Sequence, residues 1–154
     1  MNYGYLTTPI GLLKISADAI GICEVIFCEN KTETEGYNPL IEQAKLQLRE
    51  YFDGKRREFD LPLHILRGTA FQRLCWDALL KIPYGETRSY YEQAVSIEHA
   101  KAVRAVGGAN HHNPISIIIP CHRVIAKNGT LCGYGGGLDR KEFLLRLEAG
   151  TDHE

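Results

Sequence analysis

The sequence predicts an α+β fold in two domains. Two observations lead to this fold class. The first half combines strand-like segments with one helix-like segment, and the second half is dominated by helical spacing of apolar residues. An extended segment over residues 55–68, KRREFDLPLHILRG, lies between them. We therefore expect an α/β domain over residues 1–65 and a second domain over residues 66–154.

The N-terminal domain is predicted from two strands and a helix. The stretch LLKISADAIGICEVIF, residues 12–27, indicates two β segments joined by a turn near Ala17–Gly21. The stretch NPLIEQAKLQLREYFDG, residues 38–54, has helical apolar spacing and ends at a glycine. Its apolar positions are Leu40, Ile41, Ala44, Leu48, Tyr51 and Phe52.

The C-terminal domain begins with three helical patterns. The first, TAFQRLCWDALLKI, has Thr69 as a candidate N-cap and is ended by PYGET. Two shorter patterns follow, SYYEQAV and EHAKAVRAVGGAN, separated by three or four residues. This spacing is typical of a helix-turn-helix. The first helix is expected to bury one face, formed by Phe71, Leu74, Cys75, Ala78, Leu79 and Ile82.

The remaining elements indicate a winged helix. The apolar run Ile115–Ile119 predicts a strand that ends at Pro120. Asn128–Gly129 is a strong signal for a hairpin turn. The chain then closes with LDRKEFLLRLEAG, an amphipathic helix that Gly150 ends. A helix-turn-helix followed by a hairpin is the winged-helix arrangement.

Composition and charge exclude several classes of protein. No run of about 18 apolar residues is present, and the N-terminus lacks the pattern of a signal peptide. The five scattered cysteines argue against a disulfide framework, so we expect a reducing, cytoplasmic location and no membrane association. Residues 1–65 carry seven Lys or Arg and ten Asp or Glu, a balance of −3, whereas residues 66–154 carry eleven and nine, a balance of +2. Any contact with a polyanion should therefore lie in the second half.

Cys121 stands where the apolar pattern stops, between Pro120 and a His-Arg pair. Four interpretations are open from the residues alone. The thiol could be packed in a core, or it could be a zinc ligand, although no C-x-x-C or H-x-x-x-H pair accompanies it. It could also be a hydrolase nucleophile, which needs a histidine within reach of sulfur. The fourth interpretation is a thiolate that accepts an alkyl group.

The motifs around Cys121 resemble those of the O6-alkylguanine-DNA alkyltransferases. PCHRVI, preceded by NP and followed by GYGGG, looks like the active-site region of that family. The resemblance extends through GTAFQRLCWDALLKIPYGETRSY and AVRAVGGAN, covers residues 68–150 densely, and covers residues 1–65 by general layout. It implies a ribonuclease-H-like N-terminal domain and a winged-helix alkyltransferase domain.

The resemblance also implies a reaction and a partner. An alkyl group on guanine O6, with O4-alkylthymine as a further candidate substrate, would move irreversibly to Cys121 in a single turnover without a cofactor. The partner would be double-stranded DNA, bound by a monomer through the minor groove with the damaged base flipped out. The rival hypothesis is a DNA-binding protein without transfer activity, either a regulator or a lesion recogniser. Such recognisers resemble this family but lack the acceptor cysteine.

The resemblance assigns a catalytic group of five residues. Cys121 accepts the alkyl group. His122 activates the Cys121 thiol through a water molecule, and Glu148 on the last helix holds His122 in place. Asn113 fixes the turn before the active-site strand. Tyr90 donates a proton to guanine N3, which eases departure of a poor leaving group.

DNA-binding roles fall on the helix-turn-helix and its surroundings. Arg104 matches the arginine that enters the base stack in place of the flipped nucleotide. Gly107 and Gly108 would let the helix approach DNA closely. Tyr90 and Arg123 are assigned to DNA binding as well.

Substrate-binding roles fall on the loop after the active site. Tyr134, Gly135 and Gly136 would close over the guanine, with backbone N–H groups meeting O6. The Val124 carbonyl would hold the guanine amino group, and Lys141 would make a structural hydrogen bond near the loop.

The chain departs from the family pattern at several positions. Gly135 stands where many relatives have serine, and Glu98 and Ala100 stand where the helix-turn-helix turn often carries Gly and Pro. Some relatives bind zinc in the N-terminal domain. Cys23 falls near one ligand position, but Asp18 occupies another where cysteine would be expected. The sequence therefore predicts no metal site.

Overall fold

The structure is a computed structural model that describes residues 1–129, Tyr134 and residues 137–150. The chain divides into two compact units. One is formed by Met1–Leu66 with Pro114–Ser116, and the other by Arg67–Asn113 with the chain from Ile117 onward. The first contains an antiparallel sheet and a helix, and the second is mostly helical. The α+β fold class is therefore confirmed.

The first unit is built on a three-stranded antiparallel sheet. Its strands are β1 (Asn2–Thr8), β2 (Gly11–Ala17) and β3 (Ile22–Cys28), paired in that order. The sequence predicts β2 and β3 but not β1, because NYGYLTT buries three consecutive residues and lacks a period of two. β1 is a strand because its backbone pairs along its whole length with β2.

Helix α1 (Pro39–Phe52) packs on this sheet. It begins where the sequence predicts, since the Asn38 side chain accepts a hydrogen bond from the Leu40 N–H and proline occupies the first turn. The helix approaches β1 at Gly4, where a Cβ atom would lie 2.6 Å from Ile41 Cγ2. Glycine is therefore required there by the closeness of the helix and not by a turn.

The second unit is organised around α2 (Ala70–Leu79), α3 (Tyr90–Ser96) and α4 (Val103–His111). Side chains of Thr69 and Ser89 cap α2 and α3 in reciprocal capping boxes. The three helices enclose a small apolar core formed by Cys75, Ala94, Val106 and Ala109. The predicted buried face of α2 needs one correction. Leu74 is 40% exposed, and Trp76 takes the inward position and donates its Nε1–H to the Ala109 carbonyl at 2.8 Å.

The turn of the helix-turn-helix is longer than the sequence predicts. Six residues, 97–102, separate α3 from α4, so the second helix begins at Val103 and not at Glu98. Glu98 adopts a left-handed backbone conformation with φ of 61°. The turn thus uses at Glu98 a conformation that glycine adopts at lower cost, which explains why glycine is common in such turns.

The run Ile115–Ile119 is not the strand that the sequence predicts. Ile115 forms a single parallel bridge with Val25 in the first unit, and the chain then turns at Ile117, whose φ is 72°. Apolar β-branched residues are frequent in strands. In this run the isoleucines are apolar because their side chains are buried, and the segment is not a strand.

The predicted wing is only partly described. Strand β4 (Arg88–Ser89) pairs in parallel with β5 (Val124–Ile125). The Asn128–Gly129 turn is present, with the Gly129 N–H bonded to the Ala126 carbonyl. The return half of the hairpin falls outside the described residues.

Helix α5 (Leu138–Ala149) follows, and Gly150 ends it in the left-handed conformation, as predicted. Among residues 1–129, 134 and 137–150, none of the helices combines the length and the apolar character that crossing a membrane requires.

Candidate active site

Cys121 begins a single 3₁₀ turn, Cys121–Arg123, directly after Pro120. Its side chain is buried, and its Sγ atom accepts a hydrogen bond from Asn113 Nδ2 at 3.2 Å. The same amide nitrogen donates to the Ile119 carbonyl at 2.7 Å. Asn113 therefore ties the end of the helix-turn-helix directly to the thiol, eight residues further along the chain.

The surroundings of the Cys121 thiol have opposing effects on its pKa. Burial raises the pKa of Cys121, while the Asn113 hydrogen bond and the positive charge of Lys141 act in the opposite direction. The first effect keeps the resting thiol protonated and protected from oxidation. The other two are the interactions that stabilise a thiolate once a base has removed the proton.

His122 and Glu148 form a closely coupled buried pair. His122 Nε2 lies 2.6 Å from Glu148 Oε2, and both side chains are almost fully enclosed. Glu148 also accepts from the Gly85 N–H at 3.2 Å and from the Arg123 guanidinium at 2.7 and 3.1 Å. The carboxylate thus receives four hydrogen bonds from three residues.

These contacts determine which nitrogen of His122 can act as a base. Burial alone would raise the pKa of Glu148, but the hydrogen bonds from His122 and Arg123 outweigh it and hold the pKa well below its usual range. Burial lowers the pKa of His122 despite the carboxylate. The stable state is therefore an ionised Glu148 and a neutral His122 that donates Nε2–H. Its other nitrogen, Nδ1, carries the lone pair and has no hydrogen-bond partner among the described residues.

Arg123, which the sequence assigns to DNA binding, is bonded to groups inside its unit. Its side chain is buried, bonded through Nε and one terminal nitrogen to Glu148 and through the other to the Ile82 carbonyl at 2.6 Å. Three of its five N–H donors are bonded inside the unit, and the side chain is only 8% exposed. Its role in the structure is to hold the Glu148 carboxylate.

Lys141 and Tyr90 lie close together beside this cluster. The Lys141 Nζ atom is fully buried, donates to the Val124 carbonyl at 2.6 Å and lies 5.7 Å from the centre of the Tyr90 ring. The structural hydrogen bond predicted for Lys141 is therefore present. The same contact occupies one lone pair of the carbonyl that the sequence assigns to the guanine amino group. Tyr91, by comparison, is 51% exposed.

Two of the three predicted DNA-binding residues of α4 lie on its outer face. Arg104 and Gly108 are exposed, whereas Val106 and Ala109 are buried against α2 and α3. Gly107 lies beside the Tyr90 ring, since a Cβ atom there would be 3.7 Å from Tyr90 Cε1. Arg104 is thus available to a partner.

The loop after the active site is described only at its ends. Tyr134 is buried, and its carbonyl accepts from the Gly137 N–H at 3.0 Å. Gly135 and Gly136, both predicted to contact the guanine, lie outside the described residues, as does Cys132.

One cluster in the first unit has the residue types of a metal site. Ligand atoms of Asp18, Cys23 and His64 lie within 4.8 Å of one another. The Asp18 carboxylate is 2.6 Å from His64 Nδ1 and accepts from the Ile20 and Gly21 N–H groups. Burial raises the pKa of Cys23, which favours the neutral thiol over the thiolate that zinc requires. Three groups do not complete the four-ligand shell of a structural zinc site, so the absence of a metal stays a prediction.

A buried amide pair is not predictable from the motifs. Gln93 on α3 and Asn110 on α4 exchange hydrogen bonds at 2.9 and 2.7 Å, and Gln93 also donates to the Cys75 carbonyl. The only sequence signal is that helical spacing places both amides among apolar positions. The pair fixes α4, and therefore Arg104, against the other two helices.

Comparison with known proteins identifies the family. Residues 70–150 match the DNA binding domain of 6-O-methylguanine DNA methyltransferase, and residues 1–65 match its ribonuclease-like domain. The chain belongs to the 6-O-methylguanine DNA methyltransferase family.

Relatives of this methyltransferase family match nearly the whole chain. The methylated-DNA–protein-cysteine methyltransferase of Methanosarcina acetivorans is 47% identical over 154 residues, which cover 96% of this chain and 98% of the relative. That of Haemophilus influenzae is 44% identical, covering 96% and 86%. A crystal structure of the Mycobacterium tuberculosis OGT in complex with DNA superimposes with a TM-score of 0.90 at 46% identity, covering 98% of this chain and 94% of that one.

Proposed function

We propose that this protein repairs alkylated DNA by transferring the alkyl group from guanine O6 to its own Cys121. The observation that carries the proposal is the arrangement of His122. Its Nε2 is held by Glu148 at 2.6 Å, so that Nδ1, on the residue next to the thiol, is left as a base. Membership of the methyltransferase family supports the same reaction.

The transfer forms one bond and breaks one bond. The Cys121 sulfur attacks the alkyl carbon, and the bond between that carbon and guanine O6 breaks, so guanine is restored and the cysteine becomes a thioether. A thioether has no hydrolytic route back to the thiol, unlike the thioester of a hydrolase. Each molecule therefore acts once.

Two protons must move during this reaction. The thiol proton leaves through a water molecule to His122 Nδ1, because the side chains of consecutive residues diverge and direct contact is unfavourable. Glu148 stabilises the imidazolium that forms. Tyr90 supplies a proton to guanine N3, which makes the base a better leaving group, and Lys141 beside its ring favours loss of that proton.

DNA is the partner of the helix-turn-helix unit. We propose that α4 enters the minor groove and that the target nucleotide is flipped out, with Arg104 occupying its place. The exposed Arg104 and the adjacent Gly107 and Gly108 support this arrangement. Minor-groove docking suits repair that is independent of sequence, because that groove carries little sequence information. We further propose that the protein acts as a monomer in the cytoplasm.

Mass spectrometry tests the proposed function. Incubation with a duplex containing O6-methylguanine is expected to add one methylene mass to the peptide that contains Cys121, in an amount equal to the lesion consumed. Methylation of Cys132 or of a buried cysteine such as Cys75 would contradict the assignment. Tight binding of the lesion without any mass change would favour the rival function, a recogniser of damaged DNA.

Arg104→Ala is expected to separate base flipping from transfer. Repair of duplex DNA should slow by about 10- to 100-fold, because unstacking a base costs a few kcal/mol and Arg104 would no longer fill the gap. Reaction with free O6-benzylguanine, which needs no extrusion, should change much less. Single-turnover rates on the two substrates measure the effect.

Lys101→Ala provides a matched control, since it removes one exposed positive charge just before α4. It should weaken DNA binding but leave the duplex rate unchanged at saturating DNA. If Arg104→Ala slowed the free base as severely as the duplex, Arg104 would belong to the pocket or the fold, and the flipping role would have to be withdrawn.

A further inference from the structure

The exposed face of α4 carries positive charge at one end and histidine at the other. Arg104, Gly108 and His111 are spaced by four and three residues and are all exposed, so they share one side of the helix. Lys101 precedes this side and His112 follows it, and both are exposed. No Asp or Glu occurs between residues 99 and 113. We name these five residues the α4 stripe.

The hydrogen bond of His112 determines what its ring offers to solvent. Nδ1 lies 2.8 Å from the Gly108 carbonyl, which can only accept, so Nδ1 carries the hydrogen. In the neutral ring, Nε2 then carries a lone pair, which repels an anion. In the protonated ring, Nε2 is a charged donor. Protonation therefore changes the ring from a group that disfavours phosphate into one that binds it.

His111 is positioned together with His112. The two rings meet edge to face with centroids 5.3 Å apart, and the His112 backbone N–H closes the end of α4 on the Gly108 and Ala109 carbonyls. The pair is thus attached to the last turn of the helix and is not on a loose tail. Both side chains are exposed, so they can meet a partner without rearrangement of the unit.

We propose that His111 and His112 form a pH-dependent phosphate contact at the C-terminal end of α4. When protonated, they bind the DNA backbone together with Lys101 and Arg104, and when neutral they do not. The proposal rests on the proposed function, because it requires that α4 faces DNA. Histidine is the side chain whose charge normally changes between roughly pH 5 and pH 8, so DNA affinity would vary within the physiological range.

Charged groups around the pair do not cancel this effect. α4 packs against α2 and α3, whose charged or titratable side chains are Arg73, Cys75, Asp77, Tyr90, Tyr91 and Glu92. In the described part of the chain, neither histidine is ion-paired with a carboxylate. A third exposed histidine, His99, also has Nδ1 bonded to a carbonyl, that of Ile97. It contacts Phe71 and follows Glu98 directly, so it lies off the stripe.

The expected effect is large because the chain has little charge of its own. Its net charge is −1 with neutral histidines, and the stripe then has two cations. Protonation of His111 and His112 brings that number to four. Each phosphate neutralised adds about 0.9 to the slope of log affinity against log salt. The slope should therefore steepen by about 2 when both rings are charged.

The experiment measures equilibrium binding in a Cys121→Ser background, so that the protein is not consumed. Fluorescence anisotropy with a duplex containing O6-methylguanine is recorded at about pH 6 and about pH 8, each over roughly 50 to 200 mM salt. We expect binding to be about tenfold tighter at the lower pH, with the steeper salt dependence. The double variant His111→Gln/His112→Gln should lose most of this difference. His111→Arg should bind more tightly than the parent at the higher pH.

His64→Gln is the matched control, because it removes a titratable imidazole from the other unit and should leave the pH dependence unchanged. A parent protein whose affinity and salt slope do not change with pH would overturn the proposal and leave the repair function intact. The same holds if the double glutamine variant keeps the full pH dependence. Absence of DNA binding at both pH values would contradict the proposed function itself.

Discussion

Replacing Cys121 by serine is expected to abolish alkyl transfer to both duplex DNA and free O6-benzylguanine. Burial raises the pKa of the Cys121 thiol, but a serine hydroxyl has a far higher pKa still and is a much poorer nucleophile toward carbon. Serine is nearly the same size and can still accept the hydrogen bond that Asn113 makes to Sγ. The pocket should therefore keep its shape, and DNA binding should stay largely intact.

Cys75→Ala is a matched control for this experiment. Cys75 is another fully buried thiol of the same unit, where burial raises its pKa to about 11. It lies on α2 and packs in the apolar core with Ala94, Val106 and Ala109, and among the described residues no hydrogen bond or nearby charge lowers its pKa. Its replacement should lower stability by roughly 1 kcal/mol, as for other small core truncations, while leaving the transfer rate unchanged. Transfer that persists in Cys121→Ser and disappears in Cys75→Ala would reverse the assignment.

Local sequence signals predict most of the fold. The side chains of Thr69 and Ser89 cap helices by accepting a hydrogen bond from the backbone N–H three residues later. The start of each of these helices therefore depends only on residues that are close in the sequence. Gly150 ends α5 for the same reason. Strand β1 and the run Ile115–Ile119 are different, because pairing with residues distant in the chain determines whether an apolar segment becomes a strand.

The site is predictable to a similar extent. The family motifs identify Cys121, His122 and Glu148 as site residues. They do not identify Arg123 as the partner of Glu148, because the two residues are 25 positions apart and only the fold shows that the Arg123 guanidinium faces inward. A cation beside a catalytic motif in a DNA-binding protein is reasonably expected to meet phosphate. The carboxylate of Glu148 needed a second partner because His122 is neutral, and no local rule indicates which cation supplies it.

Glu148→Gln is expected to affect stability and transfer together. The substitution leaves the Arg123 guanidinium buried without a carboxylate, and breaking a buried ion pair by removing one partner costs about 3–5 kcal/mol. The amide oxygen can still accept from His122 Nε2–H but carries no charge to stabilise an imidazolium. Transfer should slow by about 10²-fold on duplex DNA and on the free base alike, since loss of general base catalysis costs at least that much.

The pH dependence of unfolding gives a second measure of this network. The pKa of Glu148 is lowered in the folded state, so its contribution to stability is fully present above the ordinary carboxyl range of about 4.3 and is lost as the pH falls through the folded value. The difference between wild type and Glu148→Gln should therefore persist from about pH 8 to about pH 5 and narrow only in stronger acid. Denaturant unfolding at several pH values checks this. A difference that vanishes near neutral pH would mean that the carboxylate is not ionised in the folded protein.

Two further variants separate the part of Glu148 in folding from its part in catalysis. Glu142→Gln removes a carboxylate of α5 whose partner Arg146 is 61% exposed, and exposed pairs contribute less than about 1 kcal/mol, so stability and transfer should hardly change. Combining Glu148→Gln with Arg123→Met removes the unpaired buried cation and should recover most of the lost stability. Transfer should stay slow in this double variant, because His122 still lacks a charged partner. If transfer recovered together with stability, Glu148 would serve the fold alone, and its role in positioning and charging His122 would have to be abandoned.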